Sequence, residues 1–279
     1  MPYITAGYPD LATTVEILRR LDPACCLCAE LGIPFSDPIA DGPVIQTSFS
    51  RALAGGFKLD RLLAEIARHR GQIGVPLVAM LSYSIVYRRD PARFVEQLRS
   101  AGFDGLIVPD LSLEEADELA ELGRRHDCPL ILMAAPTTEA SRQERIAALS
   151  EPFIYYQCVA GVTGERDRLP EDLRSRVRHL REGSGKPVCV GFGISRPEQV
   201  AAVCAVADGA IVGSAIVRRI TEMADHGASG TQIAAEIERF VAELAGALQD
   251  AGAVADSESH KAQHPLEDFP GRLIADGED

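Results

Sequence analysis

Lysine is scarce in this chain: Lys58, Lys186 and Lys261 are the only three among 279 residues. Lys58 opens an expected helix, Lys186 lies in a loop before a strand, and Lys261 sits near the C-terminus. None falls within a strand or at its C-terminal end, which argues against Schiff-base aldol chemistry. The six histidines fall in expected helices, at their ends or near the C-terminus, so zinc-dependent aldolase or hydrolase chemistry is disfavoured too. Positive charge is short overall, with 28 basic against 41 acidic residues and a net charge of −13. That balance repels nucleic acid and anionic membranes. A small anionic ligand must then be captured by local backbone donors. No apolar run approaches the ~18 residues of a membrane span. The chain opens directly into Pro2-Tyr3-Ile4-Thr5 without a basic and apolar signal segment, which predicts a cytoplasmic protein. The seven cysteines lack zinc-ribbon spacing, and the Cys25–Cys28 C-x-x-C lies in an expected strand. They read as small buried hydrophobes.

Hydrophobic residues make up 46% of the chain, enough for a full core. Apolar runs of strand length alternate with amphipathic segments. Strands are predicted at Tyr3–Thr5, Cys25–Leu31, Leu77–Ser82, Gly105–Val108, Leu130–Ala134, Phe153–Cys158, Val188–Gly191 and Gly209–Val212. Helices are predicted near Leu11–Arg20, Leu59–His69, Pro91–Ala101, Leu113–His126, Arg142–Leu149, Glu171–Arg181, Pro197–Ala205, Ser214–Ala224 and Thr231–Leu248. In the fourth of these, Leu113, Ala116, Leu119, Ala120 and Gly123 share one face. Strands apolar on both faces and separated by helices imply a parallel sheet with right-handed crossovers. Eight such units predict an α/β protein of the (β/α)8 TIM-barrel class, with residues 1–250 as one domain; an open doubly wound sheet would need only about five or six strands. Residues 251–279 are polar, acidic and broken by Pro265, Pro270 and Gly271, and are expected to form a disordered acidic tail.

In a barrel the working groups sit where strands end and the following loops begin. The most informative stretch is Glu30–Pro43, ELGIPFSDPIADGP. A carboxylate at the end of an apolar strand is costly to desolvate, so Glu30, flanked by Cys28, Leu31, Ile33 and Phe35, is expected to have a raised pKa and to serve as a general acid. Asp41 lies on a stiff loop that can close over a bound molecule. Asp37 reads first as a turn-stabilising residue, and Asp110 equally as a backbone-bonding carboxylate or a site residue. Gly161-Val162-Thr163-Gly164, Gly191-Phe192-Gly193 and Gly213-Ser214 end the last three strands. There the backbone N–H groups, with the helix start at Ser214, can cradle a phosphate. Gly191-Phe192-Gly193 does not complete a dinucleotide fingerprint, because Arg196 stands where its third glycine belongs. Carboxylates and tyrosines at the mouth (Tyr83, and Tyr155 or Tyr156) fit proton transfer on a phosphorylated substrate needing neither metal nor cofactor.

With those residues in view, the chain resembles the tryptophan synthase α subunit family. The resemblance is carried in order by PYITAGYPD (Pro2–Asp10), ELGIPFSDPIADGP (Glu30–Pro43), LIVPDL (Leu106–Leu111), APTT (Ala135–Thr138), AGVTGER (Ala160–Arg166), GFGIS (Gly191–Ser195) and GSAIV (Gly213–Val217). It covers about residues 2 to 248. It implies retro-aldol cleavage of indole-3-glycerol phosphate to indole and glyceraldehyde 3-phosphate. It also implies Glu30 as general acid and base, and Asp41 as the carboxylate holding the indole N–H. Tyr83, Tyr155 and Thr163 are expected to bind substrate, and Gly164, Phe192, Gly193, Gly213 and Ser214 to bind phosphate. No cofactor is implied in this chain; pyridoxal phosphate would belong to a β subunit in an α2β2 assembly. Three departures stand out. The family's short helix before PYITAG does not precede it in this sequence, which predicts either exposed apolar surface at the bottom of the barrel or a misplaced start codon. The loop after Tyr83 lacks the family's Asn, and Tyr8 replaces a small or polar residue. The altered loop suggests one alternative, a stand-alone lyase without a β partner; a second, against which the intact Glu30 and Asp41 speak, is a non-catalytic activator of a β subunit.

Overall fold

In the computed structural model the described residues are 1–38, 41–158, 172–191 and 193–255. The strands are β1 (Tyr3–Thr5), β2 (Ala29–Gly32), β3 (Leu77–Met80), β4 (Gly105–Ile107), β5 (Leu130–Ile131), β6 (Met133–Ala134), β7 (Ile154–Gln157), β8 (Val188–Gly191) and β9 (Gly209–Ile211). All pair in parallel, β1 to β5 in one run and β6 to β9 in another. The ring closes where Pro2 bridges Val212, and Tyr3 N donates to Val212 O at 2.9 Å. β5 and β6 are one barrel strand interrupted at Leu132. Its amide donates to Ser150 Oγ at 2.9 Å instead of to the neighbouring strand, so the break leaves no buried N–H unpaired.

The helices are α1 (Leu11–Arg20), α2 (Pro43–Ala54), α3 (Leu59–His69), α4 (Tyr83–Arg88), α5 (Pro91–Ala101), α6 (Ala116–Arg125), α7 (Ala140–Leu149), α8 (Leu173–Ser184), α9 (Pro197–Cys204), α10 (Ser214–Asp225) and α11 (Gly230–Ala255). The strand alternation sorts side chains into two layers. Cys28, Val78, Ile107, Ile131, Phe153, Tyr155, Cys189 and Ile211 fill the barrel interior. Ala29, Leu31, Leu77, Ala79, Leu106 and Leu130 face outward into the larger core beneath the helices. Full burial of a large apolar side chain such as Leu77 or Phe103 stabilises by roughly 1.5–3 kcal/mol.

Two Asp-Gly pairs secure the N-terminal end of the barrel in the same way. Asp104, just before β4, accepts from Leu77 N at 2.9 Å, from Arg70 at 2.9 Å and from Arg99 at 3.1 Å. Asp208, just before β9, accepts from Val188 N at 2.9 Å and pairs with Arg181 at 2.9 Å. Each carboxylate satisfies the first amide of the preceding strand, where no β-ladder partner is available. At this same end Met1, Leu27, Val200, Val241, Leu244 and Leu248 line an apolar groove of about 370 Å³.

Several boundaries differ from the sequence reading. The strand expected over Cys25–Leu31 is only Ala29–Gly32. Cys25 N and Cys26 N instead bond back to Asp22 O at 3.0 Å, and Ala24 N to its side chain at 2.8 Å, making a turn. Two helices were not anticipated. α2 begins at Pro43, and α4 follows Ser82. The helix expected over Leu113–His126 begins as a 3-10 turn, Leu113–Glu115, before α6. α11 continues past the expected end at Leu248 to Ala255. The acidic segment beyond it lies outside the described residues.

Candidate active site

Glu30 is the second residue of β2 and is fully buried at 0% exposure. Its register partner across the parallel pair is Tyr3, and its neighbour on the other side is Val78. Register partners project to the same face, and Cys28, two residues earlier, belongs to the interior layer. Glu30 therefore projects into the pore. Neither carboxylate oxygen has a hydrogen-bond partner. Burial pushes the carboxyl up to about 8 from its ordinary 4.5, so at neutral pH the group carries its proton.

The loop after β2 places a second carboxylate above it. Asp41 is part-buried, and burial pushes it up to about 6. The loop is clamped by Gln46 of α2, whose amide donates to Asp41 O at 2.8 Å and Pro38 O at 3.2 Å. Gly42 caps α2 and Pro43 begins it, a combination that starts a helix cleanly. α2 is in turn joined to the barrel by Ser48, whose Oγ lies 2.7 Å from Thr5 Oγ1 at the end of β1. The sequence reading missed Gln46 and Ser48. Their signal was the apolar stripe Ile45, Phe49 and Ala52 that surrounds Ser48. Asp37 is exposed.

Tyr155, on β7, joins this group. It is 9% exposed, and after burial the charges of Glu30, Tyr3 and Asp41 hold its phenol protonated. Its hydroxyl lies over Gly191; a Cβ there would stand 2.9 Å from Oη, so β8 needs glycine where the tyrosine crosses it. Tyr156, the other tyrosine considered, is the next residue of the strand and packs in the outer core.

Gly213 and Ser214 stand at the end of β9, where Gly213 is the N-cap of α10 and accepts from Ile216 N and Val217 N. Gly213 lies against Tyr3, with a hypothetical Cβ 3.6 Å from Tyr3 Cβ, so the helix start opens on the same mouth. Gly193 has φ of +82°, a conformation that requires glycine. Next to it, Ser195 N and Arg196 N both donate to Gln199 Oε1, at 2.9 and 3.1 Å. Thr163, Gly164 and Phe192 lie outside the described residues.

Tyr83 is placed differently. It begins α4, its ring centroid lies 6.2 Å from that of Tyr87 with the planes tilted by 48°, and burial followed by the charges of Glu115 and Glu118 raises its phenol pKa. These groups are on the outer rim rather than beside Glu30. Asp110 proves to be a backbone-bonding carboxylate: it accepts from Tyr83 N and from Ser82 Oγ, each at 2.7 Å. Among the described residues no cluster of side chains is arranged to hold a metal ion. No helix among them is long and apolar enough to cross a membrane.

The geometry brings a protonated buried acid, a second carboxylate, a tyrosine and a helix N-terminus to one face of a barrel. Such a set can donate a proton, stabilise a cation and hold an anion. Comparison with known proteins points the same way. Residues 1–249 match the family model described as "Tryptophan synthase alpha chain". A relative from Rhodopirellula baltica, the tryptophan synthase alpha chain, is 46% identical over 243 residues, covering 85% of this chain and 87% of its own. The corresponding protein of Synechocystis is 45% identical, with 80% and 84% covered. Among solved structures, the alpha subunit from Legionella pneumophila superimposes with a TM-score of 0.80 at 33% identity, covering 89% of this chain and 92% of that one. A chain of the tryptophan synthase complex from Pyrococcus furiosus gives a TM-score of 0.79 at 34% identity, covering 88% and 96%.

Proposed function

Because the chain belongs to the tryptophan synthase alpha chain family, and is a lyase of tryptophan biosynthesis, we propose that Glu30 and Asp41 carry its cleavage of indole-3-glycerol phosphate. The observation that supports this most directly is the division of protonation states between them. Glu30, at about 8, is an acid at neutral pH, while Asp41, at about 6, is ionised. Glu30 gives its proton to the indole ring carbon that bears the side chain. The resulting cation is stabilised by the Asp41 carboxylate, which accepts the indole N–H. The Glu30 carboxylate then takes the proton of the adjacent side-chain hydroxyl as the carbon–carbon bond breaks. Its electron pair returns to the ring, releasing indole and glyceraldehyde 3-phosphate. Glu30 ends protonated, as it began, so the proton count closes within one residue.

Tyr155 packs beside the reacting centre, and Gly213 and Ser214, with Gly193, Gly164 and Phe192, hold the phosphate at the opposite end of the substrate. Thr163 completes the binding set as expected from the family pattern, whereas Tyr83, held on the outer rim beside Tyr87, lies away from it. The reaction needs no cofactor from this chain; the pyridoxal phosphate of the pathway's next step belongs to a β subunit. A β partner in an α2β2 assembly is supported by the likeness to a chain of the Pyrococcus furiosus tryptophan synthase complex. It is also supported by Tyr87, 71% exposed beside Tyr83, since an exposed aromatic suits an interface. The test is indole release from indole-3-glycerol phosphate by the purified protein, with and without β subunit. Release that the β subunit accelerates is the expected result, and no release in either case refutes the reading.

A further inference from the structure

The chemistry set out above gives Tyr3 no task, yet its hydroxyl is buried at the same place. Among the described residues, three buried side-chain polar atoms lack a hydrogen-bond partner: Glu30 Oε1, Glu30 Oε2 and Tyr3 Oη. Tyr3 is 5% exposed. An unpaired buried hydroxyl destabilises a fold, and phenylalanine would fill the same space without that cost. The Thr5 hydroxyl acts on the phenol and lowers its pKa, but stands outside hydrogen-bond geometry to Oη; its 2.7 Å hydrogen bond is with Ser48 Oγ.

The ring is held firmly. A Cβ on Gly32 would stand 1.8 Å from Tyr3 Oη, so the hydroxyl occupies the space a side chain at Gly32 would take. Gly32 is two residues beyond Glu30 on β2, one step nearer the mouth. Gly213 borders the other side of Tyr3, with its hypothetical Cβ 3.6 Å from Tyr3 Cβ. A molecule reaching from Glu30 toward the Gly213–Ser214 helix start must pass Tyr3. Burial and the negative charges of Asp41 and Glu30 raise the phenol pKa well above its usual value, so Oη stays a hydrogen-bond donor.

We propose that Tyr3 is a substrate-binding and specificity-determining residue, whose O–H donates to a hydroxyl oxygen on the side chain of the ligand beside Glu30. This rests on the cleavage reading above. A site built to hydrogen-bond a substrate hydroxyl discriminates against the analogue that lacks it. The unpaired hydroxyl is then a stability defect kept for recognition, because its partner arrives with the ligand.

Tyr3→Phe in the full chain tests this. It is expected to leave the thermal midpoint of the ligand-free protein equal or higher, and to lower kcat/KM for indole-3-glycerol phosphate about tenfold. Affinity for indole-3-propanol phosphate, the same scaffold without the side-chain hydroxyls, should change less than about twofold. A fall in the ligand-free midpoint, an equal loss for both ligands, or unchanged kinetics would each overturn the proposal. If the parent cleaves the glycerol phosphate and the Phe variant is indistinguishable, this proposal alone fails. If the parent neither cleaves nor binds it, both readings fail.

Discussion

The Asp110 carboxylate receives the Tyr83 amide at 2.7 Å and so ties the loop after β4 to the first turn of α4. Its other oxygen receives Ser82 Oγ, the N-cap of the same helix. A six-residue helix has little stability of its own, so this anchor decides where Tyr83 and Tyr87 are held. Asp110→Ala is expected to destabilise the protein by only about 1 kcal/mol, because the pair is exposed. It should raise the Kd for β subunit roughly tenfold while the uncoupled lyase rate stays within about twofold, a tenfold change corresponding to ~1.4 kcal/mol of interface free energy. Titration calorimetry against β subunit, with indole release measured in parallel, checks both.

Replacing Glu30 should separate folding from chemistry. Glu30→Gln is expected to lower turnover by ~10²–10⁴ while phosphate-ligand binding persists. Its stability should move the other way. The parent's carboxyl titrates near 4.5 when unfolded and about 8 when folded. Between those values the unfolded chain has lost a proton that the folded chain keeps, so parent stability falls as pH rises and levels off above about pH 8. The thermal midpoint of Glu30→Gln should therefore overtake the parent across that window, by roughly 5 °C or more at pH 8. Equal midpoints at pH 5 and pH 8 would contradict the buried, proton-bearing assignment.

The pH dependence of kcat/KM should be bell-shaped, rising through about 6 as Asp41 ionises and falling through about 8 as Glu30 loses its proton. Asp41→Asn is expected to remove the acid limb and lower turnover by ~10-fold or more. A profile with the acid limb intact in that variant would assign the limb to another group.

Gly213→Asp places a carboxylate at the N-terminus of α10, where it would meet the substrate phosphate. Like charges so juxtaposed cost several kcal/mol, so KM should rise by ~10² or more with a smaller change in kcat. Steady-state kinetics at two salt concentrations checks the electrostatic origin, since screening should soften the loss.

Asp104→Ala leaves Arg70, Arg99 and the Leu77 amide without their shared acceptor. The side chain is only 2% exposed, and the loss should be about 2–4 kcal/mol by denaturant unfolding. The pair lies at the barrel end opposite the mouth, so KM should stay within about twofold of the parent.

Helices α1, α3 and α5 have the ends the sequence predicts, at Leu11–Arg20, Leu59–His69 and Pro91–Ala101. Their starts and stops are local: Asp10 and Asp90 accept from Thr13 N and Arg93 N, and Gly102 closes α5 at φ of +99°. Helix α2 was hidden by its hydroxyls. Thr47, Ser48 and Ser50 each donate to a carbonyl three or four residues back. Residues that read as loop formers are thereby satisfied inside a helix. The turn over Asp22–Cys26 was hidden for the opposite reason, since its cysteines are apolar enough to extend a strand pattern by four residues.

The chain's own order of residues determined that eight apolar strands separated by helices would form a parallel barrel, that Glu30 would be buried and reluctant to ionise, and that glycines would stand where the last strands end, as Gly191 and Gly213 do. These follow from periodicity, desolvation and backbone freedom, each legible over a few neighbours. Only the closed barrel decided which groups meet Glu30. Tyr3 and Tyr155 reach it because parallel register and ring closure bring distant strands side by side, while Tyr83 turns outward because Asp110 anchors its helix at the rim. Those are contacts between residues far apart in sequence, and no local pattern encodes them.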